Sequence, residues 1–459
     1  MTPDDKRVPL PEEGGDIGEQ SLTRRELVEK AAVLGAAASA ASPLLAATAR
    51  AAGYRRQAKG KVIIGGFVDG GLIPFKKKII PLFERETGIK VEFLQDDYST
   101  FFEKAFNDGV TKAGQFDIYI MDDPWIPQYA SAPVLKNLTK LGIKPDADFM
   151  KPFLDLGWWP PKSGPRLPDF KKKTPQLYAL PFVGDMQSLT YRKDAFGHAP
   201  KTWTELVSVA RKKMHPPKTY GYVFRGVKGN PIVASWFPVF MSQGGHIFDN
   251  HWKVLFNNAA SKRATEFFVH TLKSLAPPGV VEYDSDQEGA AILGGKALSI
   301  VQYSGNAIKS DDPKESKEVG KLAFGTVPRG PGGSIAQIGI FISGISVSAP
   351  NLQNAITFQK WFVTRKAQIA LARAGSLPVK RSAFRDRTAI RHNRLQPAIL
   401  AQLNAGALPR PRTPDWAKIE DILGTELNKA LSAGTVGNHL DSAAKQVTAF
   451  LKKNGYYKT

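Results

Sequence analysis

The sequence of 459 residues contains no cysteine and only 7 histidines. The absence of cysteine excludes disulfide bonds, thiolate metal sites, thiol nucleophiles and a lipid-modified N-terminal cysteine. His246 and His251 have no metal-ligating companions at a recognised spacing. We therefore expect neither a metal ion nor a cofactor.

Catalytic motifs are also missing from the sequence. No G-x-S-x-G nucleophile elbow occurs. The segment 289–297 resembles a phosphate-binding loop, but Ala297 follows Lys296 where that loop requires a hydroxyl residue. Asp122 and Asp123 cannot flank one glycosidic bond, because neighbouring strand residues point to opposite faces. We predict no catalytic residue and expect no enzymatic role.

Charge of one sign dominates the chain, with 63 Lys and Arg against 42 Asp and Glu and a net charge of +21. Such an excess raises the question of nucleic-acid binding. The basic residues are spread along the sequence, however, and their denser runs at 76–78 and 171–173 indicate solvated faces. We expect no nucleic-acid partner, and the charge instead predicts attraction to anionic membranes or envelope polymers.

The N-terminal region has the order of features that marks a twin-arginine export signal. Arg24 and Arg25 precede a weakly apolar, Ala-rich run at 31–49 that ends in small residues. A permanent span needs roughly 20 strongly apolar residues, which this run does not supply. We assign 1–52 to the signal and N-terminal extension and 53–60 to a linker, and expect a soluble protein in the periplasm or extracytoplasmic space.

Alternating strand and helix patterns after the linker predict an α/β fold. Strand, helix, strand, helix and strand follow one another within about 60 residues, which favours a parallel sheet covered on both faces. A second set of patterns follows the Pro- and Lys-rich stretch 160–175, and includes a helix started by Thr202 and Glu205. The predicted strands are 62–67, 89–93, 116–121, 189–191, 220–224, 297–301 and 321–327, and the first two helices are 79–88 and 101–110.

Short segments along nearly the whole chain after the signal resemble the extracellular solute-binding proteins of bacterial ABC importers. The resemblance is to the sugar-binding, maltose-binding-protein-like type known as family 1. The matching segments are FERETGIKV (83–91), GQFDIYI (114–120), DDPW (122–125), YALP (178–181), LTYRKD (189–194), PKTWTEL (200–206), SQGG (242–245), GKAL (295–298), PRGPGG (328–333), GSLPV (375–379), and Trp416 before EDIL (420–423).

This resemblance implies a periplasmic-binding-protein-like fold, in which two α/β lobes enclose a ligand cleft with type II-like topology and crossover hinge strands. It implies that lobe 1 comprises 61–183 and 328–375, and that lobe 2 comprises 184–327 and 376–459 with the C-terminal helices. It also implies a monomer that captures a mono- or oligosaccharide. The loaded protein would deliver this sugar to ABC permease subunits in the membrane, whose ATPase subunits drive import.

Candidate ligand contacts in lobe 1 lie at predicted strand ends, where open α/β sheets place ligands. Asp122, Asp123 and Trp125 combine carboxylates for hydroxyl groups with an aromatic plane for a sugar face. Asp69 and Asp96 follow the first and second strands. One structural alternative stays open for the first group, in which Asp123 and Pro124 form a turn and Trp125 packs on the lobe surface. Asp69 and Asp96 could each instead belong to a helix cap.

The remaining candidates come from the crossover and from lobe 2. Glycines near them would let backbone approach a ligand. Trp236 has the alternative of packing in a helical core, and Arg381 that of a solvated side chain. These candidates are Phe182, Gln187, Trp236, Gln243, Gly244, Tyr303, Gly339 and Arg381.

Two alternatives to a neutral sugar ligand remain at this stage. An anionic ligand such as a sugar phosphate is favoured by Arg192, Arg329 and Arg381, which could pair with its charge. A secreted carbohydrate-active enzyme is the alternative from another functional class.

Overall fold

The computed structural model describes residues 60–458. The export signal predicted at 1–52 and linker residues 53–59 lie outside the described residues. Within the described part, no helix is both long and apolar enough to cross a lipid bilayer.

Strands and helices alternate through much of the chain. The strands are β1 (Lys61–Phe67), β2 (Lys90–Asp96), β3 (Ile118–Asp122), β4 (Trp158–Trp159), β5 (Gln176–Leu177), β6 (Leu180–Val183), β7 (Ser188–Arg192), β8 (Ser299–Gln302), β9 (Leu322–Gly325), β10 (Ala336–Gln337), β11 (Phe341–Ile345) and β12 (Ala407–Leu408).

The helices lie around these strands and dominate the C-terminal part. They are α1 (Ile80–Thr87), α2 (Tyr98–Thr111), α3 (Ile126–Ser131), α4 (Lys151–Leu154), α5 (Lys193–Phe196), α6 (Trp203–Lys213), α7 (Asn230–Ser242), α8 (Ala259–Glu266), α9 (Ser285–Leu293), α10 (Ser304–Ala307), α11 (Leu352–Phe362), α12 (Arg365–Arg373), α13 (Arg381–Phe384), α14 (Arg387–His392), α15 (Gln396–Ala405), α16 (Trp416–Ala433) and α17 (His439–Lys453). Short 3-10 turns at Gly70–Leu72 and Asp123–Trp125 follow β1 and β3.

Lobe 1 is built on a sheet with the strand order β2-β1-β3-β11-β6. β1 pairs in parallel with β2 and β3, whereas β11 runs antiparallel to both β3 and β6. Gly65 lets the helix side of β1 fill with aromatic rings, since a β-carbon there would lie 2.7 Å from the rings of Phe101 and Phe116. The register places Asp96 beside Phe67 and Phe341 beside Asp122, so the ends of these strands share one edge.

Lobe 2 contains a smaller antiparallel sheet with the order β8-β7-β9. The prediction of a strand at 220–224 is wrong. Tyr220 makes only an isolated bridge to Ala297, and the buried run that follows stays irregular. Its backbone bonds instead go to several partners, including Leu275 and Ser299.

Helix ends follow local chemistry. Gly88 ends α1 in the left-handed conformation with φ of 74°, which glycine adopts without the penalty of a β-carbon. Thr202 Oγ1 accepts a hydrogen bond from Glu205 N at 3.1 Å and starts α6. The Glu205 carboxylate accepts from Lys201 N at 2.7 Å, so the predicted capping box is shifted by one residue on that side.

The chain crosses repeatedly between the two sheets. β11 completes the sheet of lobe 1 after the strands of lobe 2 have formed, and β10 pairs in parallel with β12 on the path between lobes. The C-terminal helices α16 and α17 pack together, and α16 also packs on α7. The predicted fold of two α/β lobes with crossover segments is confirmed.

Candidate functional site

The most tightly connected polar group lies at the end of β3. Asp122 is the last residue of this strand, and Arg410 donates to both of its carboxylate oxygens, at 2.7 and 2.8 Å. Arg410 also donates to Asp123 at 2.7 Å. Because all three side chains are buried, these are charge-assisted bonds shielded from water.

Arg410 and Arg412 reach the strand end from a distant segment between β12 and α16. Arg412 donates to the carbonyl oxygens of Asp123 and Leu156 at 2.7 and 2.5 Å. Prolines at 409 and 411 favour an extended backbone, in which residues two apart point to the same side. This geometry aims both guanidinium groups at the acid pair Asp122 and Asp123.

Burial and neighbouring charge have opposite effects on the pKa values of Asp123 and Arg410. Burial raises the pKa of Asp123 to about 6, against the opposing effect of Arg410. Burial also opposes the charge of Arg410, but Asp122 and Asp123 outweigh it and hold its pKa well above the ordinary value. Arg410 therefore keeps its positive charge at neutral pH and balances the acids that it contacts.

Trp125 belongs to an aromatic cluster directly below the acid pair. Its side chain is 5% exposed, stacks on Tyr129 at 6.0 Å between ring centroids, and packs against Phe67 and Phe102. The indole N–H donates to the hydroxyl of Tyr98 at 2.9 Å, and this hydroxyl donates to Asp122 at 2.9 Å. Trp125 is thus packed against its own lobe, and its stacking on a ligand stays a prediction.

Asp69 lies where lobe 1 meets lobe 2. It accepts from Gly71 N at 2.7 Å and caps the turn Gly70–Leu72, which contacts α10 of lobe 2. A β-carbon on Gly70 would lie 3.9 Å from the carbonyl oxygen of Gly305. Burial raises the pKa of Asp69, with a further increase from the charge of Asp122.

The segment between β6 and β7, which crosses from lobe 1 to lobe 2, brings another acid, Asp185, to the contact between the lobes. Asp185 accepts from Ser304 N at 2.9 Å, and burial raises its pKa to about 7. Tyr303 donates its hydroxyl proton to Gln337, and its ring sits where a β-carbon on Gly339 would clash at 2.7 Å. Burial raises the pKa of Tyr303, which also senses Arg410, Asp122, Arg225 and Asp185.

Two further acids and one arginine line the lobe 2 side. Glu420 accepts from Asn230 Nδ2 at 2.9 Å, and Glu288 lies 3.8 Å from Arg225 Nε. Burial raises the pKa of each acid to about 7. Arg225 also lies 5.9 Å from the ring centroid of Tyr303.

These contacts define a set of side chains that we call the interlobe cluster. Acids, guanidinium groups and one aromatic ring converge there from both lobes and from the crossover segments. The cluster comprises Asp69, Asp122, Asp185, Arg225, Tyr303, Arg410 and Glu420. It can offer hydrogen-bond donors, acceptors and a ring edge to one small polar molecule.

The predicted candidates divide by position. Asp69, Asp122, Asp123, Tyr303 and Gly339 lie in or against the interlobe cluster. Gln187 is buried nearby, where its amide donates to Ala234 O at 2.7 Å and accepts from Gln337 N at 3.2 Å. Trp125 is linked to Asp122 by two successive hydrogen bonds that pass through the hydroxyl group of Tyr98.

The other candidates lie in other surroundings. Asp96 forms an ion pair with Lys104 at 3.0 Å. Phe182 stacks on Phe362 with 4.0 Å between centroids. Trp236 is fully buried, stacks on Phe240 at 3.9 Å and donates to Thr265 Oγ1 at 2.9 Å.

Gln243 and the exposed Gly244 lie just past the end of α7, beside the turn at 330–332. Gly244 has a φ of 85°, which explains the glycine at that place as turn geometry. Arg381 is exposed at the start of α13. Their predicted roles in ligand binding stay predictions.

Sequence reasoning missed several members of the cluster. Asp185, Arg225, Arg410 and Glu420 were not among the predicted contacts. Signals existed for Arg410, in the alternation of arginine and proline at 409–412, and for Asp185, which lies between the predicted contacts Phe182 and Gln187. Among the described residues, no group of three or more side chains has the arrangement of a metal site.

Residues 70–369 match the family described as bacterial extracellular solute-binding protein. A probable amino-acid ABC transporter periplasmic-binding protein from Sinorhizobium fredii is 23% identical over 385 residues, which cover 82% of this chain and 86% of that protein. The mannitol-binding protein of Pseudomonas aeruginosa is 30% identical over 192 residues, covering 38% of this chain and 44% of that protein.

A solved structure gives the corresponding result for the fold. An ABC transporter solute-binding protein from Agrobacterium radiobacter, in complex with ribitol, superposes with a TM-score of 0.73 at 26% identity. The match covers 85% of this chain and 99% of that one. The resemblance therefore extends through both lobes.

Proposed function

The chain belongs to the bacterial extracellular solute-binding proteins, and on that premise we propose that it captures a sugar or sugar alcohol between its lobes and delivers it to an ABC permease. The ligand would bind at the interlobe cluster and draw the lobes together by hinge motion. The permease and its ATPase subunits would then release and import the solute.

Family membership also decides the question of catalysis. The matching family and its relatives are ligand-binding components of transporters, and the prediction that this chain is not an enzyme is confirmed. The alternative of a secreted carbohydrate-active enzyme is thereby removed.

The observation that carries the ligand proposal is the convergence of Asp69, Asp185, Tyr303 and Arg410 from different segments. A polyol presents vicinal hydroxyl groups, each of which donates and accepts a hydrogen bond. Carboxylates and guanidinium groups supply the matching acceptors and donors, and buried groups of this kind discriminate strongly against ligands that leave them unpaired.

Two relatives support this class of ligand by their names alone, since one binds mannitol and the other is complexed with ribitol. The relative from Sinorhizobium fredii is named for amino acids, which makes an amino acid the second candidate ligand. Support for a sugar phosphate is weaker, because Arg192 is already paired with Asp194 and Glu318. Arg381 lies outside the interlobe cluster.

Calorimetry on the purified chain would test the ligand class. Mannitol, ribitol and maltose form one panel, and neutral, acidic and basic amino acids form another. We expect saturable, stoichiometric binding in the first panel only. Binding confined to amino acids would overturn the sugar proposal while leaving the importer role intact.

We further propose export by the twin-arginine route and action as a monomer. Replacing Arg24 and Arg25 with lysines should retain the chain in the cytoplasm, because the receptor for this route reads the guanidinium pair and not charge alone. Fractionation of cells would measure the effect, and unchanged export would remove the proposed signal.

The proposed monomer has its own test. Light scattering of the purified chain measures its molecular mass in solution, and the mass of a dimer would contradict the proposal.

A further inference from the structure

A second group of basic side chains lies on α12, just after α13 and at the start of α14, apart from the interlobe cluster. A surface concavity of about 550 Å³ is lined by Arg365, Arg373, Arg385 and Arg387. We call these four residues the arginine surface. An adjoining concavity of about 520 Å³ shares Arg385 and Arg387 and is otherwise mainly apolar.

One acid lies among these arginines, but its charge is already committed. Asp386 accepts two hydrogen bonds from Arg373, at 2.9 and 2.8 Å, and a third from Ala389 N at 2.8 Å. The bonds from Arg373 lower the pKa of Asp386 to about 2. Asp386 therefore balances Arg373, and Asp148, which accepts hydrogen bonds from Ser382 N and Oγ, interacts with the charge of Arg365. The excess positive charge of this surface lies on Arg385 and Arg387.

Arg385 and Arg387 are the exposed centre of the surface. Within residues 60–458, neither guanidinium group has a hydrogen bond or ion pair with another side chain. Because guanidinium is more weakly hydrated than ammonium and matches phosphate geometry, such groups bind phosphate oxygens in a bidentate manner. Their natural counterpart is an anion outside the chain.

The basic array extends beyond the concavity. Arg391 lies four residues after Arg387 on α14, so the two share a helix face. Arg381 and Arg385 have the same spacing and are both exposed. An array of this extent exceeds what one small anion would need, and it favours a surface with repeated phosphate groups.

We propose that the arginine surface docks this protein on the phosphate-bearing face of an anionic phospholipid membrane. The inference rests on the proposed function only for location, since an exported importer component works beside such a membrane. Each basic residue near an anionic leaflet strengthens binding about fivefold, and the attraction decays over a Debye length of about 8 Å. Docking would raise the local concentration of the loaded protein near its permease.

Sedimentation with vesicles would test this docking. The purified chain is mixed with phosphatidylcholine vesicles with or without phosphatidylglycerol. A variant carrying Arg385→Gln and Arg387→Gln is compared with a control carrying Arg211→Gln and Lys212→Gln, which loses the same charge from the exposed end of α6. We expect binding only with phosphatidylglycerol, a loss of about 25-fold in the first variant and less than about threefold in the control.

Three outcomes would overturn the proposal. These are absence of binding to phosphatidylglycerol vesicles, equal losses in both variants, or displacement by inorganic phosphate at constant ionic strength, which would indicate a site for a small anion. The first of these outcomes, if accompanied by binding to polyglutamate, would point to an acidic protein partner instead. Thermal unfolding and sugar calorimetry on the same samples separate this failure from misfolding and from failure of the proposed transport function.

Discussion

The buried acids of the two lobes have different hydrogen-bond donors, which are charged in lobe 1 and neutral on the lobe 2 side. In lobe 1, Asp122 and Asp123 accept hydrogen bonds from the guanidinium group of Arg410. On the other side, Asp185 and Glu420 accept from the neutral donors Ser304 N and Asn230 Nδ2, each at 2.9 Å. Burial then raises the pKa of both to about 7.

The two sides therefore differ in the hydrogen bonds that their acids can make to a ligand. In lobe 1, a segment distant in sequence fixes the arrangement of Asp122 and Asp123 through charge-assisted hydrogen bonds from Arg410. Asp185 and Glu420 are partly protonated near neutral pH, and a protonated carboxyl group can donate as well as accept a hydrogen bond. That property suits the hydroxyl groups of a neutral ligand.

The largest effect is expected from removing the positive charge that contacts Asp122 and Asp123 in lobe 1. Arg410→Met leaves Asp122 and Asp123 buried without their main counter-charge and should lower the free energy of unfolding by about 3–5 kcal/mol. Urea denaturation measures this loss. Arg381→Met is the control, because an exposed change should cost less than about 0.5 kcal/mol. Similar values for the two variants would contradict the role given to Arg410.

On the lobe 2 side, Glu420 should make the free energy of unfolding depend on pH, in a direction that follows from its pKa. The folded pKa of Glu420, about 7, lies above its ordinary value of 4.5. The folded chain therefore holds this proton more tightly, and the resulting stability is lost as the pH rises from about 4.5 to about 7. Glu420→Gln mimics the protonated acid, so it should stabilise the fold by roughly 1–3 kcal/mol at about pH 8 and have little effect near pH 4.

Glu426 on the same helix provides an opposite control. It pairs with Lys429 and His439, and its pKa is lowered because these hydrogen bonds outweigh the effect of burial. Its contribution is present above the ordinary pKa and is lost as the pH falls through the lowered one. Glu426→Gln should therefore destabilise the fold at neutral pH, and the same sign for both variants would refute the contrast.

A smaller effect should distinguish two buried tryptophans. Trp125 and Trp236 each donate one indole hydrogen bond to a hydroxyl group, of Tyr98 and Thr265 respectively. Replacing either by phenylalanine should cost about 1–2 kcal/mol of unfolding free energy. Only Trp125→Phe should also weaken ligand binding, by roughly threefold, because Tyr98 bonds to Asp122. Equal affinities in calorimetry would separate Trp125 from the site.

The sequence allowed the fold to be predicted more completely than the site. Apolar runs such as 62–67 and 116–121 are local patterns, and they identified strands that the structure contains as β1 and β3. The run at 220–224 is also apolar and aromatic, yet it lacks a continuous partner strand. Strand pairing is a long-range property that a local pattern does not encode.

The site depended still more on distant contacts. The strand-end rule placed Asp69 and Asp122 near the lobe boundary from local sequence alone. Arg410 pairs with Asp122 across 288 positions of the chain, and no feature near Asp122 indicates its partner. The partner of Glu420 is also distant in sequence, because its hydrogen bond comes from Asn230 at the start of α7, 190 positions earlier.

The most direct measurement compares the same substitution at two neighbouring strand ends. Asp69 faces lobe 2, whereas Asp96 pairs with Lys104 on its own lobe. Calorimetry would follow Asp69→Asn and Asp96→Asn with whichever of mannitol, ribitol or maltose binds the unaltered chain most tightly. We predict a loss of affinity of about tenfold or more for Asp69→Asn, and of less than about twofold for Asp96→Asn. Unchanged affinity in Asp69→Asn, or equal losses in both, would contradict ligand binding at the interlobe cluster.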